Sequence, residues 1–326
     1  MIYIENNSLD PFFNFALEEY LIYELNISDS YFIFWRTEPT LMIGRHQNTI
    51  EEVNQDYIRK KKIHVVRRIS GGGTIYTDPN GWQFSFIVKN KPSREINFHI
   101  YTIPIIQALS KLGVEAKLSG RNDILVEGKK ISGNAQYTNH KCVLHHGSIL
   151  FNTDLEELVK AITASDDKII SKGIKSIRER VTNVIDYIDK KIDALEFKER
   201  MLQNLLKNTE GTYQLTSKDI ERVNEITEKK FRTWDWNYGQ SPKFNIVKSK
   251  RLEGGKIEFH LDVKKGYIHQ CKIHGDFFSK GDVEFISSSL IGCPYREKEI
   301  QGKLKEIHAA DFFYKITIDQ LMGCIF

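Results

Sequence analysis

The chain has 326 residues, of which 40% are hydrophobic and 11% aromatic, enough for a sizeable core and long enough for two domains. Its net charge of +4 is small for this length and argues against a nucleic-acid-binding protein, and no apolar run approaches a membrane span. The four cysteines are far apart, without the spacing of a zinc site or a disulfide framework, so we expect a cytoplasmic protein without a nucleic-acid or membrane partner.

The first predicted element is an amphipathic helix. Asp10 is typical of a helix N-cap and Pro11 of the first helical position. Apolar side chains then recur at helical spacing, namely Phe13, Leu17 and Leu21. This spacing places Glu18 and Glu19 on the outer side of the helix.

The elements that follow mix strands and helices without regular alternation. Apolar and aromatic runs predict strands over residues 31–35, 41–43, 65–66 and 82–88. Next come a helix over 101–112, a hairpin with strands at 124–126 and 131–132, a strand over 142–152 and a helix over 194–207. This order favours an α+β fold over a doubly wound sheet.

A second domain is predicted after residue 237. Gly, Ser and Pro punctuate residues 238–245, which is typical of a linker. Strict alternation over 257–263, a turn at 264–266 and a return strand over 267–273 precede two helical stretches. We therefore expect a large domain of residues 1–237, a linker of 238–245 and a small α+β domain of 246–326.

Residues 67–78 contain two arginines, a serine and three consecutive glycines before a β-like run. Without Cβ atoms such a loop can approach a ligand closely, and its N–H groups and an adjacent arginine can bind phosphate or carboxylate oxygens. It is neither a P-loop, since no Lys-Ser/Thr pair follows, nor a dinucleotide fingerprint, since no helical stretch follows. Taken alone, the segment is equally well interpreted as a glycine-rich hairpin.

Three further polar clusters lie at residues 120–123, 129–135 and 145–147. Period-two alternation sends Lys130 and Ser132 to one face of the hairpin and Ile131 to the other. A lysine on an inner face needs an anion, which a ligand at the glycine loop would supply. The alternative, favoured by the pattern alone, is that Lys129 and Lys130 are solvated strand-edge residues.

Together and in this order, the motifs resemble those of the lipoate–protein ligases. They are Arg-Arg-x-Ser-Gly-Gly-Gly at 67–73, Gly-Arg-Asn-Asp at 120–123, Lys-x-Ser-Gly-x-Ala at 130–135 and His-His-Gly at 145–147, with supporting segments at 44–48, 172–183 and 234–239. The resemblance runs from the first helix through the small domain. It implies a mixed-sheet catalytic domain of the biotin/lipoate-ligase type, related to class II synthetases, and a C-terminal accessory domain.

The resemblance also implies roles for individual residues. Lys130 falls at the position of the family's catalytic lysine, which touches both lipoate and nucleotide, and Asp123 is a candidate Mg²⁺ ligand. The other ATP-binding positions are Arg68, Gly73, Thr74, Ile75, Tyr76, Asn122 and Asp123. The other lipoate-binding positions are Arg45, Ser70, Gly71, Gly72, Gly133, His146 and Gly147. One departure is Thr77, where the family often has histidine.

The implied activity is ATP-dependent protein lipoylation by a monomeric enzyme with Mg²⁺. Lipoate would be activated to lipoyl-AMP and transferred to a lysine of lipoyl domains of 2-oxoacid dehydrogenase complexes or of glycine cleavage H protein. An apolar tunnel for the acyl chain could come from the aromatic runs near Trp35 and Phe84.

Three rival interpretations are less well supported. Related octanoyl- and lipoyl-transferases act through a cysteine just before the hairpin lysine, but residues 118–126 contain none, and Cys142 lies in an apolar strand typical of a core position. A biotin ligase would have a Gly-Arg-Gly-Arg-type loop, which is absent. A non-catalytic binding module is disfavoured by the intact Lys130 and glycine loop.

Overall fold

A computed structural model of the protein describes residues 1–47, 49–89, 96–120, 122–139, 142–162, 167–238, 246–264 and 266–326. The strands are β1 Ile2–Glu5, β2 Ser30–Trp35, β3 Thr40–Ile43, β4 His64–Arg67, β5 Ile75–Thr77, β6 Trp82–Lys89, β7 Lys117–Ser119, β8 Asp123–Val126, β9 Lys129–Thr138, β10 Cys142–Ile149, β11 Gly211–Gln214, β12 Ile246–Leu252, β13 Gly255–Lys264 and β14 Tyr267–Gly275. The helices are α1 Pro11–Tyr23, α2 Thr49–Glu52, α3 Gln55–Lys61, α4 His99–Ser110, α5 Leu155–Ile162, α6 Asp167–Arg180, α7 Ala194–Leu205, α8 Ser217–Ile226, α9 Trp234–Asn237, α10 Glu284–Leu290, α11 Glu297–Glu306 and α12 Ile318–Met322.

The large part of the molecule is built on an eight-stranded mixed sheet with the order β11-β1-β2-β6-β10-β9-β8-β7. Strand β1 runs parallel to both of its neighbours, whereas β2, β6, β10, β9, β8 and β7 pair antiparallel in succession. The predicted α+β class is confirmed, because strands and helices do not alternate as they do in a doubly wound fold. None of the helices in the described ranges has the length and apolar character needed to cross a bilayer.

Helix α1 begins where the sequence predicts, but the face that carries Glu18 is buried, whereas the sequence predicts that it is exposed. The Asp10 carboxylate accepts a hydrogen bond from the Phe12 N–H at 2.9 Å, and Pro11 occupies the first turn. Glu18, expected on the outer side, is only 1% exposed. It faces the sheet and accepts a hydrogen bond from the Ser85 hydroxyl at 2.6 Å. The helix is covered on more than one side, so its periodicity does not separate buried from exposed positions.

Central strand β6 separates two cores. Trp82, Phe84 and Phe86 belong to the core on one face of the sheet. The alternating residues Gln83 and Ser85 therefore point to the opposite face, and both are at most 3% exposed. The alternation that predicted this strand is thus an alternation between an apolar core and a buried polar face.

The predicted hairpin of β8 and β9 is confirmed, and it contains a bulge. Glu127 and Gly128 form its turn in left-handed backbone conformations, with φ values of 50° and 79°. The register shifts between Ile124 and Leu125, so that Ile131 is an extra residue on β9. Ile131 packs in the apolar core as expected. Ser132 is fully buried and accepts a hydrogen bond from the Asn134 side chain at 3.2 Å.

The glycine loop is not a hairpin. Strand β4 pairs parallel to one edge of β3, and β5 pairs antiparallel to the other edge. The loop of residues 68–74 therefore crosses the end of β3 instead of joining two adjacent strands. This crossing brings Gly72 and Gly73 into one cavity lining with Gln83 of β6 and Ser148 of β10.

The C-terminal unit is a three-stranded antiparallel sheet, β12-β13-β14, packed on helices. Its core includes Phe259, Leu261 and Ile286. The strands predicted over 257–263 and 267–273 are confirmed within β13 and β14. Its described residues form three α-helices, one more than predicted, because α12 is too short to show a helical period. Residues 239–245 of the predicted linker lie outside the described residues.

Candidate active site

A cavity of about 220 Å³ lies between the glycine loop, the large sheet and the C-terminal unit. Its lining combines apolar side chains with polar groups and loop backbone. The apolar lining includes Phe15, Trp35, Met42 and Phe278. The polar lining includes Arg68, Gln83, Asn122, Asp123, Lys130, Asn134, His146 and Ser148. The glycines and loop residues of the lining are Gly72, Gly73, Thr74, Ile75, Gly133 and Gly147. A cavity of this composition suits a ligand with an apolar chain and an anionic head.

Lys130 reaches this cavity from β9 with its ammonium paired. Nζ lies 2.8 Å from Oδ1 of Asp123, and the two side chains are 33% and 36% exposed. A Cβ placed on Gly133 would lie 3.0 Å from this Nζ, so glycine leaves room for the ammonium. Lys129 instead lines a separate surface pocket together with residues of α6. The interpretation of Lys130 as a merely solvated edge residue is therefore not supported.

Arg68 shapes the glycine loop from inside. Its guanidinium donates to the carbonyl oxygens of Met42 at 2.9 Å, Gly71 at 2.9 Å and Gly73 at 2.8 Å. Burial, reinforced by neighbouring Arg67, lowers the pKa of Arg68 to about 10, which still leaves it charged at neutral pH. The loop thus curves around a buried cation, and Gly72 adopts a left-handed φ of 96° within it.

Arg67 anchors the same loop to the end of the large domain. Its guanidinium donates to the Gly44 carbonyl at 2.9 Å and to the Trp236 carbonyl at 3.0 Å. Its backbone N–H donates to Oδ1 of Asn237 at 2.9 Å. The motif at 234–239 therefore has a structural explanation: α9 ties the strand before the glycines in place.

A buried polar chain runs behind the cavity wall. Nε2 of His146 lies 2.5 Å from the Ser70 hydroxyl, and its Nδ1 lies 3.0 Å from a carboxylate oxygen of Glu18. Glu18 also accepts from Ser85, whose hydroxyl accepts from the Trp35 indole at 2.9 Å. Sequence reasoning missed Glu18, although a carboxylate within so apolar a helix was a signal that it needed a buried partner.

Several predicted site residues lie beside the cavity instead of lining it. Arg45 stacks its guanidinium 4.5 Å from the Trp236 ring centre, in a separate groove. Tyr76 is buried in another cluster, with Leu41. Phe84, expected in an acyl tunnel, belongs to the core on the opposite face of the sheet, because alternation along β6 turns it away. Ser70 and Gly71 also lie outside the lining.

The C-terminal unit closes the cavity through residues 275–279. The Gly72 N–H donates to the Phe277 carbonyl at 3.2 Å, and the Gly275 N–H donates to the His46 carbonyl at 2.6 Å. The His46 ring stacks on Phe277 at 4.5 Å, and Phe278 is fully buried against the cavity. The sequence offered no signal for this contact, because an apolar pair in a small domain is ordinarily part of its own core.

Cys142 has the properties of a core thiol. It is fully buried on β10, and burial raises its pKa to about 11. A protonated, inaccessible thiol is a poor nucleophile. The expectation of a core position is confirmed, and the cysteine-dependent transferase interpretation has no support at this residue.

Two family models match the chain. The lipoyl protein ligase A/B catalytic domain matches residues 10–206, and the bacterial lipoate protein ligase C-terminus matches residues 241–325. The chain belongs to the lipoate-protein ligase family. It is therefore a ligase, an enzyme of protein lipoylation.

Individual relatives agree along the whole chain. Lipoate-protein ligase LplJ of Bacillus subtilis (strain 168) is 43% identical, and the match covers 100% of both chains. The crystal structure of P. falciparum LipL1 in complex with lipoate has the same fold, with a TM-score of 0.80, 24% identity and coverage of 99% of this chain and 98% of that one. The crystal structure of lipoate-protein ligase A bound with ATP gives a TM-score of 0.60 at 25% identity, covering 73% of this chain and 98% of that one.

Proposed function

We propose that the enzyme activates free lipoate with ATP and then transfers the lipoyl group to a lysine ε-amine of an acceptor protein. The observation that carries this proposal is the cavity itself, which is lined by a lysine side chain, glycine-loop residues and apolar side chains together. The lipoate complex and the ATP complex of similar ligases support the two substrates. In the first step the lipoate carboxylate attacks the α-phosphorus, giving lipoyl-AMP and pyrophosphate.

Lys130 is the proposed catalytic residue of this step. Negative charge moves from the attacking carboxylate onto the α-phosphate and pyrophosphate oxygens, and a fixed ammonium stabilises that charge more in the transition state than in the ground state. Its pair with Asp123 holds the ammonium in the cavity before substrate arrives. We assign Gly73, Thr74, Ile75 and Asn122 to the nucleotide, with Arg68 and Tyr76 supporting them. We assign Gly72, Gly133, His146 and Gly147 to binding of the lipoate chain. Arg45, Ser70 and Gly71 support the loop from outside the lining.

The donor set fits Mg²⁺ bound largely by substrate. Among the described residues Asp123 is the one carboxylate in the cavity lining, and these residues contain no cluster of three or more His, Cys, Asp or Glu that could hold a metal alone. Mg²⁺ commonly uses one or two carboxylates together with phosphate oxygens. Asp123 would hold the ion, which would neutralise charge on the triphosphate.

The second step needs no enzyme nucleophile. A lysine ε-amine attacks the acyl carbon, an amide forms and AMP leaves, so the buried state of Cys142 is no obstacle. The proposed acceptors are lipoyl domains of 2-oxoacid dehydrogenase complexes and glycine cleavage H protein. The proposed setting is a cytoplasmic monomer with a catalytic domain at 1–237, a linker at 238–245 and an accessory domain at 246–326.

ATP–pyrophosphate exchange tests this proposal. The purified enzyme should exchange pyrophosphate into ATP only when lipoate is present, because exchange requires a reversible adenylation of the acid. An apo lipoyl domain should then gain one lipoyl group, measured by mass spectrometry, only with both ATP and lipoate. Exchange without lipoate, or lipoylation without ATP, would exclude the adenylate pathway.

A further inference from the structure

Gln83 is a buried cavity residue with an unused hydrogen-bonding atom. Its side chain lines the cavity and is 3% exposed. Its Nε2 donates to the Thr77 hydroxyl at 2.8 Å, whereas its Oε1 is buried and has no partner among the described residues. A buried amide oxygen without a donor is costly, and native structures rarely retain one without a reason. A ligand that supplies an N–H or O–H group would satisfy it.

The sheet register connects Gln83 with the residues around Lys130. Gln83 lies directly opposite Ser148 on β10 and opposite Trp35 on β2, and all three side chains line the cavity. The Ser148 hydroxyl accepts from the Gly133 N–H at 3.3 Å. Gly133 in turn is the residue that faces the Lys130 ammonium. Gln83, Ser148 and Gly133 therefore form one row across β6, β10 and β9 that leads to Lys130.

The chemistry of the substrates limits which donor can reach this row. This step rests on the proposed function. The lipoate carboxylate and the phosphates bring only acceptor oxygens to the level of Lys130, and the ribose and adenine donors lie beyond the phosphates. The incoming lysine ε-amine is the group that must bring N–H bonds to the acyl carbon. The terminal amide torsion of glutamine is soft, so a small rotation can present Oε1 to that amine.

We propose that Oε1 of Gln83 accepts a hydrogen bond from the attacking lysine ε-amine and orients its lone pair towards the acyl carbon. The neutral amine forms the C–N bond, and the bond between the acyl carbon and the phosphate oxygen breaks. AMP leaves with that electron pair. The amide keeps the N–H that donates to Gln83, and the other proton of the amine passes to solvent water. Gln83 takes up no proton, since it acts by positioning the nucleophile. Thr77 holds the other end of the amide.

The test separates the two half-reactions in Gln83→Met, which keeps side-chain length but removes the acceptor. Lipoate-dependent exchange should stay within about twofold of wild type, and transfer from preformed lipoyl-AMP should slow by at least about tenfold. Transfer is measured in single turnovers to an apo lipoyl domain and to hydroxylamine, a small amine with no docking surface. Retained exchange also shows that the variant is folded. Gln107→Met, the same change at an exposed position of α4, should alter neither reaction.

Each other outcome overturns the inference. An equal fall in exchange would make Gln83 a ligand of lipoate or nucleotide. Slower transfer to the protein acceptor alone, with transfer to hydroxylamine unaffected, would mean that Gln83 affects docking of the acceptor. Unchanged transfer to both acceptors would show that Gln83 has no role in this step. Absence of lipoate-dependent exchange in the wild type would instead refute the proposed function itself.

Discussion

Replacing Lys130 by methionine removes the ammonium while keeping an unbranched chain of similar length. The ion pair with Asp123 is about one-third exposed on both sides. Solvent screens such a pair, so its loss should lower the free energy of unfolding by no more than about 1 kcal/mol. For a domain of this size that corresponds to a fall in Tm of about 2–4 °C. The variant should therefore fold normally.

Its effect on adenylation should be far larger than its effect on stability. Removing one preorganised stabiliser of developing negative charge commonly lowers a rate by about 10² to 10³. That factor equals about 3–4 kcal/mol of transition-state stabilisation, several times the expected loss in stability. The assay is lipoate-dependent ATP–pyrophosphate exchange, run beside a thermal melt of the same preparation.

Lys129→Met is the matched control, because the neighbouring lysine lies outside the cavity. It should retain exchange within about twofold, since surface substitutions away from a site have small effects. A folded Lys130→Met enzyme that exchanges at a near-normal rate would refute the role of the ammonium. So would an equal loss in both variants, which would indicate a diffuse electrostatic effect.

Three further predictions concern the loop, the thiol and the closing contact. Gly72→Val should reduce exchange at least about tenfold and also lower Tm by several degrees, because valine disfavours a φ of 96° and its Cβ would lie 3.0 Å from the Arg68 guanidinium; a folded variant with normal activity would show that the loop is only a structural turn. Cys142→Ser should retain ligation and lose about 1–3 kcal/mol of stability through a buried unpaired hydroxyl, whereas trapping of an acyl-thioester would contradict this. Burial lowers the pKa of His46 far below its usual value, and the charges of Arg45 and Arg67 reinforce this shift. Burial also lowers the pKa of His274 to about 4; His260, Arg67 and Lys272 reinforce that shift, whereas Glu258 opposes it. The contact between the large domain and residues 275–279 should therefore have its full stability above about pH 6.5 and should weaken as the pH falls below that value. A radius of gyration from X-ray scattering that stays constant between about pH 7.5 and pH 5.5 would contradict it, and His46→Gln should reduce the dependence.

The local elements and the family were determined by the sequence itself. The start of α1 depends on Asp10 and Pro11, and the hairpin turn on Glu127 and Gly128, all within a few residues of the structure they define. The motifs were recognisable because each is a short continuous segment and their order along the chain is preserved. Lys130, the glycine loop and Asp123 were therefore identified together, and the structure brings them to one cavity.

What only the tertiary structure decided is which surfaces meet. Glu18 faces His146 because α1 lies across β6 and β10, which are far from it in the chain. The orphan oxygen of Gln83 becomes informative only once the strand register connects Gln83 through β10 with the residues around Lys130. Phe278 closes the cavity although it belongs to the small C-terminal sheet unit. The physical reason is that periodicity reports which face of an element is covered, whereas the identity of the covering group is set by contacts between distant segments.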